Sequence, residues 1–183
     1  MELGGKSANV IFADSDLEKA AASAPGAVFD NAGQDCCARS RILIEKKAFD
    51  KFMPLLEQAV KSFKCADPSL ETTEMGPLIT SAHRDKVASY VEAGIKEGAT
   101  LLVGGLGRPE GFEKGYWVRP TIFADAHNKM AIAQEEIFGP VLTIIPFDSE
   151  EEAIEIANDT PYGLAGYVQS GDIKRAERIA KKL

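Results

Sequence analysis

The chain has 183 residues and a mass of 19.7 kDa, with 21 basic and 28 acidic side chains and a formal charge of −7. Its 45% hydrophobic and 27% charged residues suit one globular domain and exclude a disordered tail or a collagen-like repeat. The acidic balance, with no basic block, argues against nucleic acid or an anionic membrane as partner.

The longest strongly apolar run, Val141 to Phe147, is far shorter than the ~20 residues of a membrane span. Met1 and Glu2 lead straight into Gly4-Gly5 without the basic and apolar segments of a secretory leader, so a cytoplasmic location is expected. The cysteines, Cys36, Cys37 and Cys65, are odd in number and lack Cys-x-x-Cys spacing. Neither a disulfide framework nor a structural zinc site is expected. His83 and His127 stand far apart without a ligand motif, and no metal is expected.

Along the chain, Asn9 to Ala13 reads as a strand. Asp14-Ser15-Asp16 offers caps, with Ser15 and Glu18 in capping-box spacing. A helix then buries Leu17, Ala20, Ala21 and Ala24, and Pro25-Gly26 is expected to kink or break it. Ile42 to Ile44 is a strand. Phe49, Phe52, Met53, Leu56, Val60 and Phe63 form the stripe of the next helix, for which Pro54 predicts a start near Asp50 or a kink. Thr80 to Glu97 is a helix with Val87, Tyr90, Val91 and Ile95 inward. Leu101 to Val103 is a short strand, and the glycine-rich stretch from Gly104 to Gly115 a surface loop.

Tyr116 to Phe123 and Val141 to Phe147 are strands. Ser149 and Glu152 box a helix to about Asn158. Tyr167 to Gln169 is the last strand, and Asp172 to Leu183 the last helix, with Ile173, Ala176, Ala180 and Leu183 on one side. This alternation predicts an α/β fold, a mostly parallel open sheet with flanking helices. No Gly-x-Gly-x-x-Gly follows a strand, so a complete dinucleotide-binding unit is not visible.

Cys36 follows the end of a helical pattern at Gly33, in a turn-like stretch. A loop thiol beside backbone N–H groups is exposed to electrophiles and can place an oxyanion; the plainer reading is an inert buried cysteine. Glu2, beside Gly4-Gly5, could serve as a general base where backbone closely approaches a ligand, or be a solvated terminal residue. In Glu135-Glu136-Ile137-Phe138-Gly139-Pro140 a carboxylate and a ring suit a ribose-and-base ligand, or a loop with Phe138 in the core.

Together these stretches closely resemble the catalytic domain of the NAD(P)-dependent aldehyde dehydrogenase superfamily. Glu2-Leu3-Gly4-Gly5-Lys6-Ser7 resembles its glutamate signature, and Gly33-Gln34-Asp35-Cys36 with Ala38 its cysteine signature. The separation of Glu2 from Cys36 is the one that family uses. Glu135 to Val141 resembles its cofactor-facing motif. Gly115 to Thr121 and Asn158 to Ala165 are similar to further stretches, so the matches run collinearly over nearly the whole chain.

The resemblance implies that Cys36 is the nucleophile and Glu2 the general base. It implies that Glu136 bonds the nicotinamide ribose, that Phe138 packs on the nicotinamide, that the Gly5 backbone lies beside it, and that Lys86 stands near the cofactor ribose. A small-molecule aldehyde would be oxidised to an acid through a cysteine thiohemiacetal and thioester, with NAD or NADP as cofactor and no metal. Residues 1–183 would be a single, partial catalytic domain, lacking the N-terminal coenzyme-binding domain and the C-terminal end of a longer protein that is expected to form a homo-oligomer. The isolated chain would then be nearly inactive. Two alternatives are a folded, catalytically silent domain that self-associates, and residual thiol-esterase activity at Cys36. One departure is Ala8, where the family usually has proline.

Overall fold

A computed structural model describes residues 3–183 of the chain. Strands β1 (Ala8–Ile11), β2 (Arg41–Glu45), β3 (Thr100–Val103), β4 (Thr121–Ala124), β5 (Val141–Phe147) and β6 (Gly166–Gln169) form one six-stranded sheet in the order β3-β4-β5-β2-β1-β6. The β4-β5-β2-β1-β6 pairs are parallel, and β3 joins β4 antiparallel. Every residue of β1 and of β4 is buried, as are most residues of β2 and β5. Helices cover both faces of such a sheet, which is why its central strands read as apolar runs rather than alternating ones.

The helices are α1 (Leu17–Phe29), α2 (Lys46–Ser62), α3 (Ser81–Lys96), α4 (Ala131–Gln134), α5 (Glu150–Asn158) and α6 (Ile173–Ala180). Several sequence expectations are corrected. Asp16, not Ser15, caps α1, accepting the Lys19 N–H, while the Ser15 hydroxyl donates to Phe12 O. Pro25 does not end α1, because the turn beyond it buries Val28 and Phe29 in the core. Helix α2 begins at Lys46 and runs through Pro54, which is exposed, so water can satisfy the Asp50 carbonyl that the proline leaves unpaired.

On α3, Val87 and Val91 are buried but Ile95 is exposed; Gly94 faces the sheet instead, because a Cβ there would meet the Phe123 ring at 2.9 Å. Strand β4 begins only at Thr121, since Pro120 has no N–H to give a ladder. Helix α6 buries Ile179 and exposes Ile173 and Ala180 of the expected face, while Ala176 and Leu183 are half-buried, Leu183 against the core. No helix among the described residues is long and apolar enough to cross a membrane.

Parallel strands all begin at the same edge of a sheet. The segments entering β1, β2, β4, β5 and β6 are therefore gathered along one rim. Those segments contain Gly5, Cys36, Gly115 to Pro120, Glu136 with Phe138, and Asn158 to Ala165.

Candidate active site

Three rim segments touch. A Cβ placed on Gly5 would lie 2.0 Å from the Cys36 carbonyl oxygen, so only glycine lets the two chains pass. The Gly5 N–H donates to Glu136 Oε1 at 2.9 Å. Gly4 has φ +75°, and a Cβ there would meet Glu136 Oε2 at 2.8 Å. Glu136 is also reached from the β6 side: its N–H donates to the Tyr162 hydroxyl at 3.4 Å.

The turn ahead of Cys36 is strained in a defined way. Asn31 (φ 51°), Ala32 (φ 57°) and Gly33 (φ 71°) are consecutive left-handed residues. Asparagine and glycine tolerate this region, whereas alanine there costs roughly 1–2 kcal/mol. The turn is held by reciprocal bonds: Asn31 Nδ2 to Gln34 O and Gln34 Nε2 to Asn31 O, both 3.0 Å. Gln34 Oε1 accepts the Ile79 N–H at 3.0 Å, tying the turn to the segment before α3. A Cβ on Gly33 would sit 2.3 Å from the Gly139 carbonyl, so the cysteine loop lies directly on the Glu135 to Pro140 loop.

Phe138 is itself left-handed (φ 58°), and its carbonyl lies 2.5 Å from His83 Nε2. Histidine, set aside at the sequence level as a metal ligand, here fixes the backbone of the ring-bearing loop. Val87 closes the other side, 2.5 Å from where a Gly139 Cβ would be.

Cys36, Cys37 and Cys65 are free and half-buried. Asp35 clamps Cys37: its Oδ1 accepts the Cys37 N–H at 3.1 Å and lies 3.3 Å from Sγ. This hydrogen bond, with some desolvation, pushes the Cys37 thiol up. Burial pushes the Cys65 thiol to about 11. Asp35→Asn should therefore free Cys37 to react. Iodoacetamide labelling followed by mass spectrometry should show Cys37 modified several-fold faster at neutral pH in the variant. An unchanged rate would show that the clamp has no effect.

The structure thus brings Gly5, Cys36, Glu136 and Phe138 together. Glu2 lies outside the described residues. Lys86 is exposed on α3, its ammonium 5.9 Å from the Tyr90 ring, and Tyr90 donates to Glu135 Oε2 at 2.6 Å. Burial, with that bond to Glu135, raises the Tyr90 hydroxyl to about 12.

The chain matches the Aldehyde dehydrogenase family model over residues 1–183. It belongs to the aldehyde dehydrogenase family. A putative aldehyde dehydrogenase of Staphylococcus aureus (strain MSSA476) is 45% identical over all of this chain, and the chain spans 38% of that relative's length. Among solved structures, aldehyde dehydrogenase AldC from Pseudomonas syringae, complexed with NAD+ and octanal, is 41% identical with a TM-score of 0.96, covering 99% of this chain and 37% of AldC. KauB of Pseudomonas aeruginosa is 47% identical with a TM-score of 0.95, over 100% of this chain and 37% of its own. Betaine aldehyde dehydrogenase from Staphylococcus aureus, in complex with NAD+, is 46% identical with a TM-score of 0.95, over 100% and 36%.

Other polar residues of the rim escaped the sequence reading. Lys6, Ser7 and Arg41 are buried at the starts of β1 and β2. Arg41 donates to Lys6 O at 2.9 Å, Asn128 Oδ1 at 2.8 Å, Ile156 O at 3.0 Å and Ala157 O at 2.9 Å. A charged residue opening an apolar run was the only signal, and it reads equally as a solvated strand end.

Proposed function

We propose that this chain carries the thiol and part of the cofactor face of an NAD(P)-dependent aldehyde dehydrogenase that oxidises a small aldehyde to its carboxylic acid. The observation that carries this reading is the meeting of Gly5, the Cys36 loop and the Glu136 loop, with Gly5 N–H on Glu136 at 2.9 Å and Cys36 O against Gly5. Around the Gly4-Gly5 backbone space is tight: a Cβ on Gly4 would meet Glu136 Oε2 and the Tyr162 ring, and one on Gly5 the Cys36 carbonyl and Leu164. Residues of this kind fit a nicotinamide ribose: Glu136 to accept its hydroxyls, Phe138 to cover the ring, Gly5 to admit it, and Lys86 farther out on α3.

A bound NAD(P)+ supplies the hydride acceptor that a cysteine thiohemiacetal needs to become a thioester. The remaining work falls to this chain. Cys36 Sγ attacks the aldehyde carbon. The Cys36 N–H, which donates to no acceptor among the described residues, faces the developing oxyanion. Asp35 keeps Cys37 a thiol, so a single sulfur nucleophile is presented. Glu2 takes a proton from the water that hydrolyses the thioester, which requires it to be anionic.

The same proposal places the longer protein in the reducing cytoplasm, where free thiols persist, and makes it a homo-oligomer; the exposed Ile173 and the β6 edge are surfaces such an assembly could cover. The related structures include AldC complexed with octanal and a betaine aldehyde dehydrogenase, so no single substrate is assigned.

The test is iodoacetamide labelling between pH 6 and 9, read by mass spectrometry with Cys65 as the internal control. Cys36 should react about tenfold or more faster than Cys65 at pH 7, since desolvation pushes the Cys65 thiol to about 11. Equal rates would remove the nucleophile from this proposal.

A further inference from the structure

A cavity of about 180 Å³ opens beside the starts of β1 and β6, lined among others by Lys6, Ser7, Arg41, Thr160, Leu164 and Leu183. Lys6 is 2% and Ser7 3% exposed, and among the described residues neither Lys6 Nζ nor Ser7 Oγ has a hydrogen-bond partner. Arg41 spends its donors on uncharged acceptors, three backbone carbonyls and the Asn128 amide. The nearby carboxylates are engaged elsewhere: Glu136 accepts from Gly5, Glu135 from Tyr90, and Asp159 from Lys129 and Asn128.

The wall therefore carries surplus positive charge and idle donors, with no carboxylate hydrogen-bonded to Lys6 or Ser7 among the described residues. A buried cation without a counter-charge is costly, and native proteins rarely leave such donors unused. We propose that this cavity is a carboxylate-binding site, in which Lys6 and Ser7 hold the two oxygens and a short aliphatic stem rests on Leu164 and Leu183. A carboxylate matches both donors, since each of its oxygens accepts more than one hydrogen bond. The small volume restricts the stem to a few carbons. The carboxylate can come from a free short-chain acid or from an acidic side chain of a polypeptide.

Propanoate, propanamide and glutamate capped at both backbone ends, titrated into the 183-residue chain at pH 6.5, separate these sources. The readout is the backbone amide signals of Lys6, Ser7 and residues 160–166 in heteronuclear NMR. Saturable shifts with propanoate but not propanamide are expected, weakened roughly tenfold in Lys6→Met and several-fold in Ser7→Ala. Binding should weaken as the pH rises to 8.5. Burial and the Arg41 guanidinium hold the Lys6 ammonium at about 7, against the opposing pull of Glu136 and Glu135. Saturation by the capped glutamate alone would support the site and assign it to a polypeptide side chain. No saturable shift with either acid, or equal shifts with propanamide, would overturn it.

Discussion

Gly33→Ala is expected to destabilise the chain by about 3 kcal/mol or more. Two costs add. Holding an alanine at the left-handed φ of +71° costs about 1–2 kcal/mol. The new Cβ would lie 2.3 Å from the Gly139 carbonyl and 2.8 Å from Pro140 N. Those atoms are backbone, held in turn by Val87 behind Gly139 and by His83 on Phe138 O, so they cannot rotate away. Overpacking of this kind costs about 1–3 kcal/mol.

Urea unfolding measures the effect as a lower midpoint at constant slope. Gly26→Ala is the matched control: it lies inside α1 with nothing within 4 Å of its Cβ position, and should stabilise by roughly 0.5–1 kcal/mol. Loss at Gly33 no greater than about 1 kcal/mol would show that the two loops can separate cheaply, and the Cys36–Glu136 juxtaposition would then lack a rigid support.

The opposite sign is expected at Lys6. In a buffer free of carboxylates, Lys6→Met should stabilise the chain at pH 6 by several kcal/mol. Burial, with the Arg41 guanidinium beside it, lowers the Lys6 amine from 10.5 to about 7. Below about pH 7 both folded and unfolded chains carry the proton, and the folded state bears the whole cost of a buried ammonium, on the order of 3–5 kcal/mol. Between about 7 and 10.5 the unfolded chain still binds the proton that the folded chain has released. Stability contributed by this group therefore rises with pH across that window, and the advantage of Met shrinks by roughly 1.4 kcal/mol per pH unit.

Denaturant titrations at pH 6, 7.5 and 9 check the slope. A constant difference between the proteins would show that Lys6 is solvated or paired in solution. The prediction bears on the cavity: an interior amine that costs stability is retained for what it holds.

The layer architecture was legible in the residue pattern alone, because alternating β-branched runs and helical stripes leave few folds open. So was the family resemblance, since each signature is local: the Gly4-Gly5 pair, the Gly33 to Cys36 turn and the Glu135 to Pro140 loop are contiguous stretches. Periodicity misled where burial was decided by a neighbour rather than by the helix itself. Ile95 lost its place to Gly94 because the Phe123 ring leaves room only for a glycine, and Ile173 lost its place to Ile179. Pro25 and Pro54 did not break their helices because packing beyond each proline outweighs a missing hydrogen bond.

That these motifs meet at one rim follows from the way the strands assemble. Each motif precedes a strand, and because those strands are parallel members of one sheet, their entry segments line one rim. Nothing in the spacing of Gly5, Cys36 and Glu136 foretells that a backbone N–H of the first reaches the carboxylate of the last at 2.9 Å. Lys6, Ser7 and Arg41 lay beyond sequence reasoning for a related reason: a polar residue at the mouth of an apolar run is ordinarily solvated. Here neighbouring strands enter beside it at the same rim and take the water away.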